Sequence, residues 1–142
     1  MISSIVVGTD GSVTAKLALE KAAALAEAFG ARIHLVSAYE PGVSVAGTGT
    51  GAVESRVGPG AAVDAVTEQA VGALRVKGIE VAVYARKGDP AEAILDVAEE
   101  QSADLIIIGN KGMRGAKRFL LGSVPNKVSH HAPCDVMIVR TV

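Results

Sequence analysis

Tryptophan is missing from this chain, and two tyrosines and two phenylalanines are its only other large aromatics. A surface that holds single-stranded nucleic acid by base stacking needs more rings than that. Cysteine occurs once, at Cys134, which excludes an intrachain disulfide and a multi-cysteine metal site and suits a reducing compartment. No apolar run reaches membrane-spanning length. The opening Met1-Ile-Ser-Ser-Ile-Val-Val lacks a basic leader and a cleavage site. An excess of one charge is also lacking: the formal net charge is −1, so the basic residues within 111–118 are a local patch. These absences read as a cytoplasmic, soluble protein with neither a membrane nor a nucleic-acid partner.

What remains is a globular composition, 49% apolar and 20% charged over 142 residues. That is enough for one domain, 1–142, with a real core.

The most informative stretch is Gly109-Asn-Lys-Gly-Met-Arg-Gly-Ala-Lys-Arg-Phe-Leu-Leu-Gly-Ser123. It follows Leu105-Ile-Ile-Ile108, a short β-branched run without alternation, which reads as a strand buried on both faces. Glycines at 109, 112, 115 and 122 let backbone N–H groups approach a ligand, and a helix begins at Ser123. A helix start adds unpaired N–H groups and a partial positive charge. Lys111, Arg114, Lys117 and Arg118 add full charges. The combination is an anion cradle suited to phosphate. The Gly-x4-Gly-Lys-Ser/Thr pattern of strong NTPases is absent.

From the N-terminus, Ile5-Val-Val7 is a strand, and a helix is expected from 13 to 29 with Ala18, Ala22, Leu25, Ala26 and Phe29 inward. Gly30 closes it. Residues 32–39 are a second strand. Residues 42–60 carry six glycines and read as a long flexible loop. A helix over 62–77 places Val63, Val66, Ala70 and Leu74 on one face, and 79–84 is a strand with one exposed face. Asp89, Pro90 and Glu92 fit N-cap, N1 and N3 of a helix to about 101, with Ala91, Ile94, Leu95 and Ala98 inward. A strand at 104–108, a helix at 123–131 and a strand at 135–140 complete the chain. Pro125 suits the first turn of that helix, where its missing N–H matters little.

Alternating strands and helices imply an α/β fold, a doubly wound five-stranded parallel sheet with helices on both faces. The order 3-2-1-4-5 is expected, reversing between the first and fourth strands. Ligands of such sheets bind beyond the carboxyl ends at the reversal. Gly8-Thr9-Asp10 and Gly109 both arrive there. Asp10 could accept hydrogen bonds from ribose or hold a metal near phosphates. Equally, Asp10 or Ser12 could merely cap the first helix, and Ser123 could cap its own.

These motifs resemble the universal stress protein family over nearly the whole chain. Ile5-Val-Val-Gly-Thr-Asp-Gly-Ser12 matches the family's first strand and loop. Gly109-x2-Gly112-x9-Gly122-Ser123 matches the motif of its ATP-binding branch, and Val136-Met-Ile-Val139 its closing strand. The resemblance implies bound ATP, with AMP or cyclic AMP as alternatives and Mg²⁺ compatible with the phosphates. By position it implies Gly8, Thr9 and Asp10 at adenine and ribose, and Ser37 and Ala38 at the adenine edge. Ile108, Gly109, Lys111 and Gly112 would line ribose and phosphates, and Gly122, Ser123 and Val124 would hold phosphates. It also implies a homodimer through 135–140, which would cover an apolar edge. Two departures bear on triphosphate preference: Asn110-Lys111 replaces a hydroxyl residue and histidine, and Pro125 replaces threonine.

Other residues read more plainly. Cys134 is a small buried residue without an activating partner. His130 and His131 adjoin at a helix end and do not share a face. His34 is structural and faces a helix, and Glu99-Glu100 is a solvated helix end. The function expected is regulatory nucleotide binding without catalysis. A slow ATPase or phosphotransferase using Asp10 with Mg²⁺ lacks a residue clearly placed to activate water. A flavin carrier lacks flanking aromatics, and a ligand-free dimer module is the remaining alternative.

Overall fold

A computed structural model describes residues 1–9, 13–39, 59–110 and 122–140. Among these lie strands β1 (Ser4–Thr9), β2 (Arg32–Tyr39), β3 (Val81–Lys87), β4 (Leu105–Gly109) and β5 (Asp135–Val139). The helices are α1 (Val13–Phe29), α2 (Pro59–Val76), α3 (Pro90–Glu100) and α4 (Ser123–His131). The strands form one parallel sheet in the expected order, β3-β2-β1-β4-β5.

Successive side chains of a strand point to opposite faces, so the sheet carries two cores. Ile5, Val7, Ile33, Leu35, Leu105 and Ile107 pack with Ala18, Leu19, Ala22 and Ala26 of α1 and with Val71 and Leu74 of α2. Val6, Val36, Ile106 and Ile108 pack on the other face with Ala91, Ile94, Val97 and Ala98 of α3 and Val128 of α4. Strands β1 and β4 are buried on both faces, which explains their unbroken apolar runs.

Three helices end the same way. Ala31 N–H bonds Ala26 O at 3.0 Å, Ile79 N–H bonds Leu74 O at 3.1 Å, and Ala103 N–H bonds Ala98 O at 2.9 Å. Each bond spans a left-handed residue: Gly30 at φ 70°, Gly78 at φ 85° and Ser102 at φ 49°. This 6→1 closure satisfies orphan carbonyls and returns a buried side chain (Ala31, Ile79 or Ala103) to the core.

Several boundaries move. The helix α2 begins at Pro59, inside the stretch expected to be a glycine-rich loop, because proline suits a first helical position. The rest of that stretch up to residue 58 lies outside the described residues, as do the side chains of Val63 and Val66. The third strand starts at Val81 rather than Ile79, because Ile79 belongs to the closure of α2. Phe29, expected inward, is 44% exposed, while Leu19 and Ala23 are buried instead. Phe29 is the last residue of α1, just before the Gly30 closure. On α3, Val97 is fully buried and Leu95 only half-buried.

His34 is buried within β2. Its Nδ1 lies 3.0 Å from the Tyr84 hydroxyl on neighbouring β3, and Arg86 stacks over the Tyr84 ring at 5.5 Å. Arg86 also grips Glu100 through two bonds of 3.0 and 2.7 Å, so Glu100 is paired rather than simply solvated. The start of β1 is pinned by Asp104, whose Oδ2 accepts Ser3 N–H at 2.8 Å, Ser4 N–H at 3.0 Å and Ser3 Oγ–H at 3.0 Å. These bonds, the Ser3 N–H first, hold its carboxyl below the usual range. Cys134 is half-buried, and burial followed by Asp135 and Asp104 pushes its thiol up, away from reactive thiolate.

No described helix is long and apolar enough to cross a membrane.

Candidate functional site

The two central strands part at their carboxyl ends. Pairing of β1 with β4 runs from Ile5↔Leu105 to Val7↔Ile107. Each strand then continues only with its outer neighbour, β1 to Thr9↔Ser37 and β4 to Gly109↔Val139. The crevice opens where the strand order reverses, as expected for an open α/β sheet. Gly8 and Thr9 form one lip, Ile108 and Gly109 the other, and Ser37 and Ala38 follow on the flank of β1. The structure thus brings six of the expected site residues to one edge. Asp10, Lys111 and Gly112 lie outside the described residues.

The start of α4 is tied to this edge through Asn110. Asn110 N–H donates to Val139 O at 2.8 Å, and Gly122 N–H donates to Asn110 O at 3.0 Å. The two ends of the 111–121 segment are therefore joined by one hydrogen bond. Gly122 is the N-cap of α4, in extended conformation at φ −64° and ψ 166°. Ser123, read from the sequence as able to cap, is the first helical residue instead. A glycine cap contributes no side-chain acceptor, so the helix end keeps its positive character. Asn126 N–H reaches Gly122 O at 3.1 Å, and Pro125 has no N–H. The N–H groups of Ser123 and Val124 are left without intrahelical acceptors, the chemistry that receives a phosphate oxygen.

On the opposite lip, the β3–α3 turn is held by Gly88 N–H donating to Tyr39 O at 2.8 Å. Gly88 has φ 114°, which requires glycine. Asp89 then caps α3 as expected, its Oδ2 accepting Glu92 N–H at 3.0 Å.

Sequence reasoning passed over Lys127, which reaches Asp89 and Glu92, residues far from it in the chain. The sequence named Asn110 and Ile94 but not their roles: Asn110 acts through its backbone, and Ile94 of α3 packs against Gly8.

A separate groove of about 540 Å³ lies at the opposite, amino end of the strands, lined by residues including Ser4, Glu27, Arg32, Lys77 and Glu80. Its cations are already paired, Arg32 with Glu80 at 2.7 Å and Lys77 with Glu27 at 3.8 Å. Its glycines, Gly30 and Gly78, close helices α1 and α2 rather than open one.

The family model for universal stress proteins matches residues 1–140. The chain belongs to the universal stress protein family. A universal stress protein of Thermus aquaticus, encoded in the 3' region of a QAH/OAS sulfhydrylase, is 37% identical over 142 residues, covering 99% of this chain and 100% of that one. A universal stress protein solved in complex with cAMP is similar in structure, with a TM-score of 0.75, 30% identity, and coverage of 99% of this chain and 98% of that one. The universal stress protein of Archaeoglobus fulgidus in complex with dAMP has a TM-score of 0.70 and 28% identity, covering 99% of this chain and 100% of that one. Among the described residues of this universal stress protein, no group of three His, Cys, Asp or Glu side chains could hold a metal ion.

Proposed function

We propose that this universal stress protein binds an adenine nucleotide in the crevice between β1 and β4 and acts as a regulatory binding protein in the stress response. The observation that carries the reading is the parting of β1 and β4 beside the start of α4, whose first N–H groups have no acceptor within the helix. The similar structures holding cAMP and dAMP support the adenine class. The spacing Gly109-x2-Gly112-x9-Gly122-Ser123 supports ATP as the form bound.

In this reading Gly8, Thr9 and Asp10 meet adenine and ribose, and Ser37 and Ala38 meet the adenine edge through their backbone. Ile108, Gly109, Lys111 and Gly112 line ribose and phosphates. Ser123 and Val124 donate N–H groups to a phosphate, and Gly122 leaves room for it. Mg²⁺ accompanies the phosphates, with Asp10 as its nearest carboxylate in sequence. The protein works in the cytoplasm and without catalysis, as a homodimer joined along β5, whose Ile138 is 36% exposed on an edge strand.

Mass spectrometry of ligand released from freshly purified protein tests the reading, followed by titration with ATP, AMP, cyclic AMP and adenosine. Gly122→Val or Gly109→Val abolishes binding with the fold retained; unchanged affinity removes the site. Lys111→Ala weakens ATP more than adenosine. In a single-turnover assay, phosphate release stays below about 1 s⁻¹, under ordinary enzyme turnover.

A further inference from the structure

The helices α3 and α4 follow parallel strands on one face of the sheet, so both begin at the carboxyl edge. Both starts carry partial positive charge. The α3 start is neutralised by its own carboxylates, since Asp89 caps it and Glu92 lies in its first turn. Those carboxylates also stand beside α4. Lys127 Nζ lies 3.3 Å from Asp89 Oδ2 and 3.1 Å from Glu92 Oε2. Lys127 is four residues beyond Ser123, so the two share a helix face with Cβ atoms about 5–6 Å apart. One lysine side chain therefore joins Asp89 and Glu92 to the first turns of α4, and charges in that range are screened by salt, the Debye length being about 10 Å at 0.1 M.

We propose that Lys127 is a positioning residue of the nucleotide site, masking Asp89 and Glu92 so that a phosphate can rest at the start of α4. The inference rests on the nucleotide reading above. Stability is not the main role of this contact. The lysine is 42% exposed and its partners 47% and 65%, and exposed ion pairs add little to folding. Loss of the lysine would leave two carboxylates offset only by the partial charge of the α3 start, and like charges repel an incoming phosphate in a salt-dependent way. The carboxylates in turn hold the lysine charged, Glu92 more than Asp89. They also draw its ammonium toward α3, so it acts through them and not as a phosphate ligand.

The test is calorimetric titration of the full chain with ATP, AMP and adenosine at low and high salt. Lys127→Met weakens ATP and AMP by about three- to tenfold in low salt, leaves adenosine within about twofold, and loses most of this effect in high salt, as screening requires. Adding Glu92→Gln to Lys127→Met restores most of the affinity, and Lys127→Arg retains it. An equal loss for adenosine and AMP overturns the inference in favour of a structural role. So does unchanged ATP affinity in Lys127→Met, or failure of Glu92→Gln to restore binding. Should the unmodified protein bind neither ATP nor AMP, the nucleotide reading falls first and this inference with it.

Discussion

Gly8 of β1 makes room for Ile94 of α3: a Cβ added at Gly8 would stand 2.5 Å from Ile94 Cδ1 and 3.1 Å from its Cγ1. Ile94 is 4% exposed and cannot swing into solvent. The glycine therefore sets how closely α3 approaches the sheet just below the crevice. Gly8→Ala is expected to destabilise by about 1–3 kcal/mol, the usual range for overpacking. Ile94→Val removes Cδ1 and alone costs about 0.5–1.5 kcal/mol. Combined, the two changes cost less than their sum, because the second relieves the first. Urea unfolding of the four proteins of this cycle measures the coupling. Strict additivity would show that the helix shifts freely and that Gly8 serves the ligand alone.

Ser102 performs for α3 what Gly30 and Gly78 perform for α1 and α2, at φ 49° and with a Cβ to accommodate. Ser102→Gly relieves that strain and should raise stability by roughly 0.5 kcal/mol, after the loss of unfolded-state restriction is discounted. Gly78→Ala is the counterpart. A Cβ there meets nothing within 4 Å, so its cost, about 1 kcal/mol, is conformational alone. Thermal melts of both variants check the pair, and a destabilised Ser102→Gly would mean that the serine side chain matters more than its backbone angle.

His34 is 3% exposed, and burial, aided by Arg32, holds its pKa below the ordinary 6.5. Tyr84 of β3 contacts its ring and Arg32 of its own strand acts on it; behind Tyr84 stand Arg86 and, bonded to Arg86, Glu100 at the end of α3. Well above pH 6.5 the ring is neutral in both folded and unfolded chains and contributes no pH dependence. As pH falls through 6.5 the unfolded chain takes up a proton that the folded one resists, so stability declines until the folded pKa is reached. His34→Gln should flatten this part of the stability profile between about pH 7 and 5, a window set by the histidine reference value. Denaturant midpoints across that range report it; an unchanged slope would assign the acid sensitivity to other groups.

The homodimer proposed along β5 depends on an uncovered strand edge with Ile138 partly exposed. Ile138→Lys places a charge there, the device by which natural edge strands avoid pairing. Sedimentation velocity should show a shift toward monomer with the far-ultraviolet spectrum unchanged. A dimer of undiminished strength would place the contact elsewhere.

Much of the architecture was legible because it rests on short-range rules. Unbroken β-branched runs mark β1 and β4, since a strand covered on both faces has no reason to alternate. Asp89-Pro90-x-Glu92 names a helix start outright, and the structure has that cap. The place where β1 and β4 part was legible because alternating strands and helices limit the order of the sheet. Less legible were features that arise between distant segments. Phe29 matched the helical period of α1 yet ends that helix exposed. Ile79 looked like strand but closes α2. His34 pairs with Tyr84 across two strands, and Lys127 meets Asp89 and Glu92 across two helices.

The amino-acid sequence by itself determined the alternation of strands and helices, their punctuation by glycine and proline, and the start of α4 at Ser123. Those depend on backbone sterics and local hydrogen bonding, which neighbouring residues settle among themselves. Only the tertiary structure decided that β1 and β4 separate beside the start of α4, that Gly8 is shaped by Ile94, and that one lysine covers two carboxylates there. Such contacts join residues tens of positions apart, and their geometry exists only once both cores have closed around the sheet.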